Sequence, residues 1–261
     1  MISFKEDFGN QGRAWYFDKS GIIRDVMQNH LMQILTLVAM EHPCRMEAKD
    51  MNILKSIAPV TIDDVVLGRY VGNPHPHREA AVGYLDEDGI PKDSVTPTYA
   101  LAVLHLTNGH WLRVPFFLRC GRGLDEHKAE VRIQFREVPG DIELVMGVHP
   151  NGAMYYKMIT TTPGMGFGVD ETELDVTHND HCKSIRVPDA YECVFLEAIN
   201  GSQINFARCD ELDYASKIFT PLWEKIENKE IKLSPYLFGS EGPEEADHLI
   251  QKYKQRSIIR D

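Results

Sequence analysis

The sequence predicts an α+β fold in which a large, mainly antiparallel β-sheet carries helices packed on one face. Three observations predict it. Strand-like segments follow one another from residue 99 to 160, a helical period runs from about Ser20 to Met40, and helical segments return after Pro188. Strands in a block with helices at both ends give segregated layers rather than alternating βαβ units. No internal repeat, low-complexity segment or linker divides the chain, so its 261 residues are expected to form one domain, 1–261.

The elements follow in order. Ile2 to Phe8 reads as a strand beginning immediately after Met1, which suggests a truncated chain. A loop from Gly9 to Asp18 leads into the long helix. Ser20 is its expected N-cap, and Ile23, Val26, Met27, Ile34, Leu37 and Val38 supply its apolar period. Pro43 stops it. A shorter helix is expected over 48–57 and a strand over 65–71. Residues 72–98, rich in Gly, Pro, His and Asp, form a surface excursion. Tyr99 to Leu106 and Trp111 to Arg119 flank Asn108-Gly109, a hairpin signal. Ala129, Val131, Ile133 and Phe135 alternate with Lys128, Glu130, Arg132 and Gln134, as in a half-buried antiparallel strand. Strands over 142–148 and 153–160 extend the sheet. Tyr191 to Ile199 is a helix with one apolar face. Asp210 is the expected cap of a helix running to about Glu227, with a bend at Pro221. Residues 244–254 form a last polar helix.

Composition excludes several functions. Asp and Glu outnumber Lys and Arg by 39 to 28, for a formal charge of -11. That argues against nucleic-acid binding, which relies on neutralising phosphates. It does not exclude a local anion site. The five cysteines, Cys44, Cys120, Cys182, Cys193 and Cys209, include no C-x-x-C pair. They point to reduced thiols in a cytoplasmic protein rather than to disulfides or a zinc ribbon. No apolar run reaches membrane-spanning length. His75, His77 and His110 close no tetrahedral set, so no metal site is expected. Gly164, Gly166 and Gly168 resemble a phosphate loop, but no βαβ unit surrounds them.

Two clusters carry possible chemistry. His30, with Val26 and Met27, falls on the apolar stripe of the first helix. It is either a buried histidine bonded to a backbone carbonyl or a general base lining a cleft. At 3.6 residues per turn, Asp25 and His30 point about 140° apart, which argues against a direct dyad. Arg119, Arg122, His127, Lys128 and Arg132 cluster around the loop Gly121-Arg122-Gly123. They form either a solvated face bonded to Asp125, Glu126 and Glu130, or an anion site for a phosphate or a dinucleotide.

Specific runs go further. Ile2-Ser3-Phe4-Lys5-Glu6, Gly12-Arg13 and Tyr16-Phe17-Asp18 lead into Arg24-Asp25-Val26-Met27-Gln28-Asn29-His30-Leu31. Leu118-Arg119-Cys120-Gly121, Lys128-Ala129-Glu130-Val131-Arg132, Val187-Pro188-Asp189-Ala190-Tyr191-Glu192 and Phe219-Thr220-Pro221-Leu222 follow. Over essentially its whole length the chain resembles the C-terminal domain of the glucose-6-phosphate dehydrogenase family. The resemblance implies oxidation of C1 of glucose 6-phosphate, with hydride passing to NADP and His30 taking the C1 hydroxyl proton. It implies that Glu6 and Asp25 bind sugar hydroxyls, and that Arg122 replaces a family Lys near the phosphate. It further implies substrate contacts at His127, which stands for a family Arg, and at His149, which stands for a family Gln.

The family's G-A-S-G-D-L-A-K dinucleotide fingerprint and its R-I-D-H-Y-L-G-K-E run would precede Met1, so the N-terminal Rossmann domain is expected to be absent. The isolated polypeptide is then expected to lack dehydrogenase activity. Arg119, Lys128, Arg132, Tyr155, Lys157 and Asp175 match the lining of a second, structural NADP site. Gly147 and Glu241 stand where relatives carry Arg, and the stacking aromatic would lie beyond Asp261, so tight structural NADP is not expected. The family's sheet implies a homodimer, or a tetramer. The alternative function is a non-catalytic dimerisation or phosphosugar-binding module.

Overall fold

The computed structural model of the chain describes residues 1–10, 12–41, 51–74, 82–135, 142–150, 152–162, 168–176, 188–203 and 206–258, the side chains of 51 and 255–258 excepted. The elements are β1 (Ile2–Lys5), α1 (Ala14–Ile22), a π-helical segment (Ile23–Leu31), α2 (Met32–Ala39), α3 (Met51–Lys55), β2 (Val65–Val71), β3 (Tyr99–His105) and β4 (Pro115–Gly121). Then come β5 (Lys128–Gln134), β6 (Glu143–His149), β7 (Ala153–Thr161), β8 (Val169–Asp175), α4 (Ala190–Asn200), α5 (Cys209–Glu227), β9 (Ser234–Leu237) and α6 (Glu244–Ile258). The fold is α+β with most strand pairs antiparallel. The chain divides into two compact units, residues 2–127 with 206–261, and Met1 with 128–205.

In the first unit the strands run in the order β1-β4-β3-β2-β9. β3 is antiparallel to β2 and β4, while β1 with β4 and β2 with β9 are parallel. β3 is central, and Tyr99 to Leu104 are all buried, which is why its sequence is a continuous apolar run rather than an alternation. The π-helical segment packs on β1 and β4 and against α5, and α6 packs on β2. The core is rich in aromatic rings: Tyr70, Tyr84, Tyr99, Tyr236 and Phe17 are buried, and Tyr236 meets Tyr99 and Tyr70 edge-on at 5.7 and 6.2 Å between centroids. Such rings bury large apolar area while their hydroxyls find partners. Tyr84 donates to Asp18 at 2.8 Å, Tyr70 to Glu87, and Tyr236 to the Arg122 carbonyl at 2.7 Å.

The second unit is an antiparallel meander, β5-β6-β7-β8, followed in sequence by α4. Met1 is tied to β5: its ammonium donates to the Arg132 carbonyl at 2.6 Å, and Arg132 N–H returns a bond of 2.8 Å.

Several expected boundaries move. β1 ends at Lys5 rather than Phe8, because its partner β4 ends at Gly121, and the Glu6 and Phe8 carbonyls accept from Leu124 and Gly123 of the following loop. Ser20 is not an N-cap. It sits inside α1, which begins at Ala14, and its hydroxyl donates to the Tyr16 and Phe17 carbonyls. The expected continuous α-helix over 20–40 is broken by Gly21 (φ 64°) and rewound as a π-helix through Leu31. The hairpin pairing of β3 with β4 holds, but the second strand starts at Pro115, not Trp111. The Trp111 indole N–H bonds the Ala39 carbonyl at 2.8 Å, and Arg113 takes a positive φ, so this stretch cannot join the ladder. Asp210 lies within α5. Arg208 is the N-cap, its N–H bonded by the Glu211 carboxylate at 2.9 Å, and the helix continues through Pro221.

β8 and β9 were not legible. Val169–Asp175 reads V-D-E-T-E-L-D, wholly exposed, with no apolar alternation to mark it. It is held by its ladder with β7 and by a Thr160–Thr172 hydroxyl pair at 2.6 Å. Residues 48–50 of the second expected helix, His75, His77, Cys44, Cys182 and the glycine-rich 163–167 lie outside the described residues.

Candidate functional site

Parallel pairing of β1 with β4 sets Lys5 beside Gly121, so the chain leaves both strands at the same edge. The next residues are Glu6 and Arg122. Their backbones are fixed by bonds from Glu6 N–H to Gly121 O, Leu124 N–H to Glu6 O and Arg122 N–H to Thr98 O, of 2.9 to 3.0 Å. Gly123 turns away at φ 61° where a Cβ would strike the Phe238 ring, which keeps the turn tight behind Arg122.

Arg122 is buried, and four groups surround its guanidinium. Nη1 donates to Asn10 Oδ1 at 3.0 Å, and Nη2 to Asp25 Oδ2 at 2.9 Å. Nε lies 3.0 Å from Glu6 Oε2, an ion pair whose angle is too poor for a hydrogen bond, so both atoms lack a hydrogen-bond partner. The guanidinium carbon sits 4.2 Å over the Phe17 ring. Burial pushes the Glu6 carboxyl above its usual value; the Arg122 charge opposes this, Asp25 adds to it, and His127 and Arg13 oppose it.

The π-helical segment supplies Asp25 and His30. Met32 N–H bonds Met27 O, and the Asn29 side chain bonds Arg24 O at 2.9 Å, both spanning five residues. The i→i+5 winding replaces the α-helical spacing assumed from the sequence, and Asp25 bonds Arg122 at 2.9 Å. The buried-histidine alternative falls. His30 is exposed, although Val26 and Met27 beside it are buried, and its ring stacks at 6.3 Å on Phe4 of β1.

The structure thus gathers Glu6, Asp25 and Arg122, with His30 on the segment that carries Asp25. His127 lies in the same unit, its ring edge-on to Phe8 at 5.4 Å. His149 ends β6 in the other unit. Sequence reasoning missed Asn10 and Phe17. Asn10, in a turn between glycines, has no periodicity to betray it, and Phe17 reads as ordinary core.

The positions matched to a structural NADP are engaged otherwise. In β5–β8, Lys128 and Arg132 pair with Glu130 at 3.4 and 2.8 Å, Arg132 also pairs with Glu143 at 3.2 Å, and Lys157 pairs with Glu171 and Glu173 at 3.0 and 3.4 Å. Burial would raise Glu130, but the bond and charge of Arg132 and the charge of Lys128 outweigh it and hold the carboxyl below its usual value. Tyr155 is register partner to Val145 and Asp175. In the first unit Arg119 donates to the Glu241 carbonyl and lies 5.8 Å over Tyr99. Carboxylates outnumber the cations of the β5–β8 patch, so these residues do not fit a polyanionic dinucleotide.

Among the described residues no group of His, Cys, Asp or Glu could hold a metal, and no helix is long and apolar enough to cross a membrane. Cys120, Cys193 and Cys209 are free thiols.

Comparison with known proteins assigns the family. The sequence model described as "Glucose-6-phosphate dehydrogenase, C-terminal domain" matches residues 1–257. A glucose-6-phosphate 1-dehydrogenase of Caenorhabditis elegans is 58% identical over 97% of this chain and 51% of its own length. One of Ceratitis capitata is 54% identical over 95% of the chain and 49% of its own length. The solved structure of a glucose-6-phosphate dehydrogenase in complex with its substrate glucose-6-phosphate superposes with a TM-score of 0.89 at 37% identity, over 97% of this chain and 54% of that one. The chain therefore spans about half the length of the curated relatives it matches.

Proposed function

Because the chain belongs to the glucose-6-phosphate dehydrogenase C-terminal-domain family, we propose that residues 1–261 act as one substrate-binding and assembly domain of an NADP-dependent glucose-6-phosphate 1-dehydrogenase. NADP, held by the dinucleotide-binding half of the enzyme, supplies the hydride acceptor when bound. This chain's own residues bind and orient the sugar. Glu6 and Asp25 accept hydrogen bonds from its hydroxyls, a task suited to ionised oxygens. His30 takes the C1 hydroxyl proton as that carbon is oxidised to the lactone. Its exposure leaves it open to a substrate, as a general base must be.

The observation that carries this reading is the convergence of Glu6 and Asp25 on Arg122, with His30 one π-helical repeat beyond Asp25. The test is a His30→Asn variant of the complete enzyme. Turnover should fall about 10²- to 10⁴-fold, the share of one positioned base, with the KM for glucose 6-phosphate little changed. Unaltered turnover would remove His30 from the mechanism.

The second NADP is not part of this proposal, since the β5–β8 cations are already committed to carboxylates. Assembly is proposed to be a symmetric homodimer through the sheet. Free thiols suit a cytoplasmic location.

A further inference from the structure

We propose that Asn10 and Arg122 form a positioning clamp: Arg122 acts through the Glu6 and Asp25 carboxylates, holding them for the sugar hydroxyls, and does not bind the sugar's phosphate. This inference rests on the sugar-oxidising reading above.

Geometry comes first. Each edge of the guanidinium is taken, Nη1 by Asn10, Nη2 by Asp25 and Nε by Glu6, and one flat face lies on Phe17. Arg122 is 7% exposed and Asn10 1%. A phosphate would have to displace a carboxylate and enter a buried site. Charge is the second argument. The guanidinium already pairs with two carboxylates, Glu6 at 3.0 Å and Asp25 at 2.9 Å, so a phosphate would have to compete with both. Third, Asn10 is a neutral acceptor. It fixes one end of the guanidinium without consuming its charge, which is left for Glu6 and Asp25. A Lys, the family residue at this position, has no planar fork with which to bond Asn10 and Asp25 and pair with Glu6 at once. Glu6 needs such a partner because burial works against its ionised form, with Asp25 adding to that and Arg13 and His127 opposing it.

Two experiments test the clamp. In the 261-residue chain, NMR should show the Arg122 guanidinium protons as separate, slowly exchanging signals that inorganic phosphate does not move. In Asn10→Ala those signals should merge. This arm does not depend on dehydrogenase activity, so the clamp and the proposed function can fail separately. In the complete enzyme, Arg122→Lys keeps the charge and removes the fork. It should reduce discrimination against at least one of 2-deoxy-, 3-deoxy- and 4-deoxyglucose 6-phosphate by about ten-fold or more, the effect of one charged hydrogen bond. The preference for glucose 6-phosphate over glucose should stay within about two-fold. Loss of the phosphate preference with the deoxy series unchanged, or movement of the Arg122 signals by inorganic phosphate in the unmodified chain, overturns the proposal. Thermal midpoints of both variants confirm that folded protein is compared.

Discussion

At the residue scale, two glutamates have carboxyls shifted in opposite directions. The raised Glu6 carboxyl means that the folded chain binds more protons than the unfolded one between the ordinary glutamate value and the raised one. The stability tied to it is full below the ordinary value and is lost as pH rises through the raised one. Glu130, held down by Arg132 and Lys128, contributes stability that is present above the ordinary value and lost as pH falls through its depressed one. Urea denaturation from about pH 3 to 7 checks the pair. Glu6→Gln should gain on the unmodified chain as pH rises, whereas the deficit of Glu130→Gln should widen. Parallel pH profiles for either variant and the unmodified chain would contradict that glutamate's shift.

At the scale of elements, the turn from α1 into the π-helical segment depends on Gly21. Its φ is 64°, and a Cβ there would lie 2.8 Å from the Trp223 ring. Gly21→Ala should cost about 1–2 kcal/mol for the backbone alone and more from the clash with an indole that packs on Arg24 at 3.9 Å. A lowered unfolding midpoint checks this, and an unchanged one would mean the kink is not needed. α4 is a simpler case. Asp189 accepts from Tyr191 N–H at 2.8 Å, and Glu192 accepts from Asp189 N–H at 3.0 Å, a capping box at the start of an exposed helix. Asp189→Ala should weaken that helix by about 1 kcal/mol, seen as faster amide exchange over Ala190–Asn200. These two elements also differ in how readable they were. The apolar spacing of α4 is local, so the sequence shows it. The π-helical register is not, because apolar residues three and four apart suit an α-helix equally well. In the fold the wider winding packs on β1, β4 and α5.

At the scale of the molecule, the cations of β5 and β7, Lys128, Arg132 and Lys157, are paired with carboxylates rather than held ready for a dinucleotide. Purified by itself, it is expected to show no NADP reduction with glucose 6-phosphate. A spectrophotometric assay of the isolated polypeptide decides this, and measurable turnover would refute it. Adding the dinucleotide-binding half should restore activity.

By itself the sequence determined the α+β class, most strand and helix positions and the family, and it named Glu6, Asp25 and His30 as candidates, because periodicity and specific runs are local signals. Tertiary structure decided the rest. Parallel pairing of β1 with β4 brought Glu6 and Arg122 to one edge across more than a hundred residues of chain. The π-helical winding carries both Asp25 and His30. Burial beside Asn10, Phe17 and two carboxylates gave Arg122 a partner on every side, which no spacing encodes, since a guanidinium's role is set by the charges that folding places around it.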